Sequence, residues 1–383
     1  MNKLTPDYDY SCRYNGGIVT EPTELDNYEA LQMLPHGIKF DNGVTSILGN
    51  GVVIDAPALL NDFSVLSQNG IGYKNRLIIS DRSNLVTNLH KRIADKLKAI
   101  RKDSIWLQGE DVTQSFKPIK MALRVSHLVD DNWTEFEDKY HRVRNTCEQL
   151  YNVKLSKEDI EHDFDSFKQL RSLMKNNKLV DDTVVLLNKE IKNKKRVIVE
   201  DASSSSMDID TGLYPFTDSF HTTTGAVCTG LGVPEEAIET TIGVFSAVSI
   251  IRNGFLKRIK DFPTHIHADD PAYASISAKL ESEYEVMASD YAFGWTDLNL
   301  IRHAELLNKL SSMMLTHLDV LNEVETIKLA TKYTLDDGSK VFDKSLPSKL
   351  DDWGDMVPEY IELPGWQTDL AQVGSFQALP TEA

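Results

Sequence analysis

His265, His267 and Asp269 form an H-x-H-x-D cluster. Two imidazoles two residues apart on a strand face the same side and could share a metal ion. Asp270 and Pro271 follow at once, which favours a turn, so the cluster reads first as part of a surface loop. Asp208 and Asp210 are a second candidate. In extended chain both carboxylates would share a face and could hold a divalent cation beside a nucleotide, although an isolated pair specifies little. Gly49-Asn50-Gly51 opens a G-x-G without the third glycine and reads as a tight turn between two strands. The sequence contains no G-x-x-x-x-G-K-[ST], no H-E-x-x-H and no C-x-x-C. Cys12, Cys147 and Cys228 are too sparse for a disulfide framework and lack zinc spacing. From the residues alone, no convincing active site emerges.

The elements that must position any site alternate in type. Runs rich in β-formers cover 44–54, 76–80, 196–200, 242–251 and 314–320. Between them, Trp133, Phe136, Tyr140, Val143, Cys147 and Leu150 repeat at three- and four-residue steps, the apolar face of an amphipathic helix. Phe164, Phe167, Leu170 and Met174 make a second such face, and Leu300, Ala304, Leu307 and Leu310 a third. Strands interleaved with helices predict an α/β fold with a mixed, mostly parallel central sheet. The helical stretch over about 131–194 reads as an insertion packed on that sheet, within one domain spanning 1–383. Ser203 to Ser206 read as a flexible loop.

Composition narrows the partners. The formal charge of −17 over 383 residues repels phosphate backbones and anionic lipid, so nucleic acid and membrane surfaces are not expected partners unless a local basic patch exists. The dense basic run, Lys192 to Arg196 (KNKKR), reads as a solvated helix end. Nothing in the first residues resembles a secretory or transit leader, and a reducing, cytoplasmic setting is expected.

A set of ordered segments goes further. Leu34-Pro-His-Gly-Ile38, Leu48-Gly-Asn-Gly-Val-Val-Ile54, Arg76-Leu-Ile-Ile-Ser-Asp-Arg82 and Leu123-Arg-Val-Ser-His-Leu128 come first. Asp208-Ile-Asp210, Tyr214-Pro-Phe216, Thr229-Gly-Leu-Gly-Val-Pro234 and Phe262-Pro-Thr264 follow. Gly294-Trp-Thr-Asp-Leu298, Thr316-His-Leu-Asp-Val-Leu321 and Leu363-Pro-Gly-Trp366 complete the series. In order and spacing this resembles adenylosuccinate synthetase, most of all its fungal form, from about Asp7 to Trp366. The resemblance implies that family's fold, a homodimer, and a ligase that joins IMP to L-aspartate using GTP and Mg²⁺.

It also implies where substrates would sit, and there the chain departs from the pattern. The family's G-D-E-G-K-G-K phosphate loop is expected to be missing, as is its closing G-x-G-P-x-R. Of G-G-N-N-A-G-H-T, Gly16 and Gly17 survive and the catalytic histidine does not. The I-G-T-T loop and the arginine that reaches IMP phosphate across the dimer are replaced by a segment carrying Glu110 and Asp111, followed by Lys117-Pro-Ile-Lys120. Further IMP positions fall on Ser203, Asp218 and Ser219, with Asp218 in place of a phosphate-binding threonine. The arginine-rich aspartate loop is reduced to a shorter stretch holding Ser289, Asp290 and Tyr291. The guanine-reading T-K-L-D becomes His317 and Asp319, with the lysine lost.

Turn glycines and packing residues persist while ligand-binding groups are gone. The expectation is a catalytically inactive relative with no bound GTP or Mg²⁺, acting as an interaction or regulatory protein, as a homodimer or with an intact paralogue. The alternatives are a divergent small-molecule binder, with Asp208, Asp210, Asp218, Asp290 and Asp319 as an acidic pocket, and a residual ligase.

Overall fold

The structure is a computed structural model that describes residues 4–18, 23–25, 28–40, 43–101, 107–200, 203–252, 262–284, 286, 289, 291–349, 351–375 and 378–380. The chain parts into two compact units. Unit 1 comprises Met1–Ser204 and Asp218–Ile238, and unit 2 comprises Ser205–Thr217 and Glu239–Ala383.

Unit 1 is built on strands β1 (Tyr10–Arg13), β2 (Thr23–Leu25), β3 (Tyr28–Leu31), β4 (Thr45–Leu48), β5 (Val53–Asp55), β6 (Leu77–Ser80), β7 (Asn84–Val86), β8 (Val180–Asp181) and β9 (Val197–Glu200). The main sheet has the order β8-β6-β4-β1-β9, parallel throughout. β5 and β7 form a parallel pair, and β2 and β3 a hairpin. Helices α1 (Ala56–Gln68), α2 (Asn88–Arg101), α3 (Gly109–Phe116), α4 (Val125–Val129), α5 (Trp133–Tyr151), α6 (Lys157–Asn177), α7 (Thr183–Lys192) and α8 (Gly225–Leu231) complete the unit. Parallel strands need helices on both faces and read as nearly continuous apolar runs. Accordingly Cys12, Ile47, Leu48, Ile54 and Ile79 are fully buried.

The 44–54 run is two strands, and the break is the turn read from Gly49-Asn50-Gly51. A Cβ on Gly51 would stand 2.0 Å from the Tyr14 carbonyl oxygen and one on Gly49 2.7 Å from that of Gly230. Only glycine lets the end of β1 and helix α8 approach this turn so closely. Asn50 Nδ2 donates to the Thr229 carbonyl at 2.7 Å.

The 131–194 stretch is α5, α6 and α7 around β8. Helix α5 buries Phe136, Tyr140, Val143 and Cys147 as its spacing predicts. Leu150 departs from the expectation and is exposed. A strict 3.5-residue repeat drifts about 20° per heptad around a straight helix, which carries the last position off the buried face. Phe136 meets Phe167 of α6 edge-on at 5.5 Å. Between these helices Asp163 is buried. It accepts the Tyr140 hydroxyl at 2.6 Å and the Asn88 N–H at 3.0 Å, and burial raises its pKa to about 6.

Unit 2 contains β10 (Ile242–Ser246), β11 (Val248–Arg252), β12 (Tyr291–Asp297), β13 (Ser312–Thr316), β14 (Thr326–Leu335), β15 (Val341–Phe342) and β16 (Met356–Pro364), with helices α9 (Tyr273–Tyr284) and α10 (Leu298–Asn308). β10 and β13 make a two-stranded parallel sheet. The second sheet runs β11-β12-β14-β15, with β16 also on β14, and is mixed. The 242–251 run is thus two strands that change sheets at Ala247. The 314–320 run ends as strand at Thr316, because His317 adopts a left-handed φ of 55° and starts a 3-10 turn, Leu318–Leu321. The predicted face of α10 is only half-buried and Leu310 lies beyond the helix. Its buried positions are Asn299 and Asn308, whose amides donate to the Ser345 carbonyl and to Ser205 Oγ, each at 2.9 Å. Periodicity of apolar residues finds this helix but not its buried face, because side-chain hydrogen bonds seat it.

Both units are mixed α/β; the main sheet of unit 1 is the mostly parallel sheet that the sequence predicts, whereas the larger sheet of unit 2 is mostly antiparallel. Among the described residues no helix is long and apolar enough to cross a membrane.

Candidate functional site

Asp62 and Arg13 fix the segment that carries Gly16 and Gly17. The Asp62 carboxylate accepts the backbone N–H groups of Gln32, Met33 and Leu34 at 2.9, 2.8 and 3.1 Å. The Arg13 guanidinium donates to the carbonyls of Met33 (2.7 Å) and Gly17 (2.9 Å). Gly16 has φ 72°, and its carbonyl accepts the Val53 N–H at 2.9 Å. Gly17 faces Glu110, whose Cγ lies 2.6 Å from where a Cβ would stand.

Around this segment unit 1 gathers acids. Asp111, on the first turn of α3, accepts the Gln108 N–H at 2.5 Å and so caps its own helix. The Ser203 hydroxyl donates to the Asp218 carboxylate. Ser219 stands close enough to lower the Asp111 pKa, although its hydroxyl makes no hydrogen bond of standard geometry. Burial pushes the pKa of Glu110, Asp111 and Asp218 upward. Asp55 and Asp111 raise Glu110 further, against a pull from Lys91, and Asp111 raises Asp218. Four of the five IMP positions that the resemblance marks, Gly17, Ser203, Asp218 and Ser219, therefore each meet an acid, Asp218 being one itself. Such an environment resists a further anion: an ionised carboxyl there repels it, and an anion held beside these acids would raise their pKa still more.

A second feature of unit 1 carries the opposite sign. Lys117, Lys120, Arg124, His127 and Lys139 line a cavity of about 280 Å³, with the buried Asn84 in its wall. Lys117 Nζ donates to Gln114 Oε1 at 2.9 Å, and Lys139 Nζ lies 2.7 Å from His127 Nε2. Among the described residues none of the five makes an ion pair. Burial and neighbouring cations lower the pKa of Lys117, Lys139 and His127, against a weaker pull from Glu135 on Lys139 and Asp130 on His127. The sequence reading placed its basic concentration at Lys192 to Arg196 and missed this one. Its signal was the three-, four-, three-residue spacing of Lys117, Lys120, Arg124 and His127, to which only the packing of α5 adds Lys139.

In unit 2, His317 and Asp319 lie beyond the carboxyl ends of β10 and β13. His317 Nδ1 lies 3.0 Å from Ser246 Oγ and 3.2 Å from Thr316 Oγ1. The Tyr284 hydroxyl lies 3.0 and 2.9 Å from the two carboxylate oxygens of Asp319. Of the aspartate-loop positions, Asp290 lies outside the described residues, Ser289 is exposed, and Tyr291 begins β12 opposite Arg252.

The metal candidates fare differently from their reading as extended pairs. Asp208 Oδ1 accepts from the Asp210 N–H, the Thr211 N–H and Thr211 Oγ1 at 3.0, 3.1 and 3.1 Å, so this carboxylate is used in closing a turn. The His265 ring stacks on Phe262 and lies 4.3 Å from that of His267. Among the described residues no group of three or more His, Cys, Asp or Glu side chains is arranged to hold a metal ion. Mg²⁺ that binds through one or two carboxylates and substrate phosphates needs no such group, and no step is derived through it.

The comparisons with known proteins agree on one relationship. The family model described as adenylosuccinate synthetase matches residues 1–383. The adenylosuccinate synthetase of Paramecium tetraurelia is 32% identical over 388 residues, covering 99% of this chain and 86% of that protein. Those of Kluyveromyces lactis and Candida glabrata are 32% and 33% identical, covering 100% and 99% of this chain and 88% of each relative. A solved, fully ligated adenylosuccinate synthetase from Plasmodium falciparum shares the fold, with a TM-score of 0.84 at 23% identity over 99% of this chain and 87% of that one. With one family model spanning the whole chain and several relatives above 30% identity, the chain belongs to the adenylosuccinate synthetase family.

Proposed function

We propose that this chain is a family member that has lost the ligase reaction and serves as a binding or regulatory protein on the synthetase scaffold, as a homodimer or with an intact paralogue. The observation that carries this reading is the set of desolvated carboxyls, Glu110, Asp111 and Asp218, at the positions where the resemblance puts IMP. Phosphoryl transfer relies on donors and cations preorganised around developing negative charge. Here the same positions present acids with raised pKa. On this reading Gly16, Gly17, Ser203, Asp218 and Ser219 are vestiges of an IMP site, Ser289, Asp290 and Tyr291 of an aspartate loop, and His317 and Asp319 of a guanine site.

The test is direct. The purified chain, given IMP, GTP, L-aspartate and Mg²⁺, should form no adenylosuccinate. Saturating IMP should leave its melting midpoint unchanged, whereas true binding at 100 times Kd would add about 2.7 kcal/mol. Turnover, or growth of a synthetase-deficient strain carrying this chain, overturns the reading.

A second reading, separate from the acidic pocket expected from the sequence, is a binder of small anions, and the cationic cavity favours it. Five basic groups without an ion pair make a ready site for a small anion on a chain of net charge −17. Inorganic phosphate or a nucleoside monophosphate should bind there, more weakly at high salt, and Lys117→Glu with Lys120→Glu should abolish it. Binding unaffected by both substitutions removes this reading.

A further inference from the structure

Helix α9 ends on Tyr284, and that ending brings a phenol to a carboxylate in unit 2. In open parallel sheets ligands collect outside the carboxyl ends of the strands. Ser246 and Thr316 are the last residues of β10 and β13, and Asp319 follows within the 3-10 turn. A non-glycine residue at positive φ is costly and is held by its surroundings. His317, at φ 55°, has Ser246 and Thr316 hydroxyls on its Nδ1. The turn is therefore presented in one conformation, with Asp319 at its rim.

The Asp319 carboxylate is not left to solvent. Tyr284 reaches both its oxygens, its ring stands edge-on to His317 at 4.5 Å and 86°, and Lys279 Nζ, from the same helix, donates to the Asp319 carbonyl at 3.2 Å. Helix α9 thus grips Asp319 at two points. The grip is imperfect as chemistry, because a phenol has one proton to share between two oxygens. A planar group with two adjacent N–H donors gives one to each oxygen, in the stronger bidentate geometry. Tyr284 is 37% exposed, so its ring has room to leave.

We propose that Tyr284 is an autoinhibitory plug, whose hydroxyl occupies the Asp319 carboxylate and must be displaced by any ligand that presents paired N–H donors, the guanine edge among them. This rests on the reading of His317 and Asp319 as a vestigial guanine site. It adds that the vestige is closed by a residue of this chain rather than only stripped of its lysine.

The probe is GDP, with ADP as the control, titrated by calorimetry against the full chain. Tyr284→Phe keeps the ring and removes the hydroxyl. It should bind GDP at least about tenfold more tightly than the unsubstituted chain, the scale of one charge-assisted hydrogen bond, with no gain for ADP. Asp319→Asn in the same background should cancel the gain. Tyr284→Leu, which removes the ring as well, should show the same preference if the Phe variant folds poorly. Equal GDP binding with and without the hydroxyl, including no binding by any variant, overturns the plug. An equal gain for ADP overturns it too. Adenylosuccinate formation by the unsubstituted chain would instead overturn the proposed function, and the Tyr284 comparison would still be readable as a ratio of affinities.

Discussion

The parallel strands of the two units receive opposite treatment. In unit 1, β1 and β4 lie inside helices, and Cys12, Ser46, Ile47 and Leu48 are all fully buried. In unit 2, β13 leaves Met313, Met314 and Leu315 exposed by 56, 44 and 42%. The candidate positions follow suit. Those of unit 1 hold carboxyls that burial has made reluctant to ionise, whereas Asp319 of unit 2 lies at a half-open rim and meets one phenol. Burial turns an acid into a barrier, and partial exposure leaves it adjustable. The same substitution should therefore matter far more in one unit than in the other.

The largest contrast should come from packing. Phe136→Ala, beneath α5 and α6, should cost about 3–5 kcal/mol in denaturant unfolding. Met314→Ala on β13 should cost less than about 1 kcal/mol. Comparable losses would mean that β13 is covered in solution.

Buried carboxyls in each unit sharpen the comparison next. Asp163, with Tyr140, and Asp297, with Tyr333, both have a pKa raised from 3.8 to about 6 by burial. An acid whose folded pKa is raised holds its proton more tightly when folded, so its contribution to stability grows as pH falls from about 6 to about 4 and is flat above. Each would give at most about 2–3 kcal/mol across that window. Asp163→Asn and Asp297→Asn should each flatten the pH dependence of the melting midpoint between pH 4 and 6. An unchanged slope would show that the carboxyl is ionised in the folded chain.

The smallest effect tests the acid-filled site. Asp218→Asn keeps a partner for Ser203 and removes a charge that burial and Asp111 oppose. It should stabilise unit 1 at pH 7 by no more than about 1 kcal/mol, and a loss of stability would mean that Asp218 is held charged by a cation.

Much of this was readable in one dimension. The helical faces of α5 and α6, the turn at Gly49-Asn50-Gly51 and the α/β class follow from periodicity and from where only glycine fits. Family membership follows from ordered short segments. The acids at 110, 111 and 218 were visible as residue types at marked positions. Their raised pKa was not, because desolvation depends on what packs above a side chain. The cationic cavity escaped notice because its members span a turn, α4 and α5, and no linear run contains them.

Sequence by itself determined which local conformations each segment could adopt and which chemical groups were available, since backbone sterics and side-chain type act at short range. Tertiary structure alone decided which of those groups meet. It set Tyr284 on Asp319, consumed Asp208 in a turn, and assembled five cations from separate elements. The reason is physical: charge interaction and burial depend on distance through space and on exclusion of water, and chain order fixes neither.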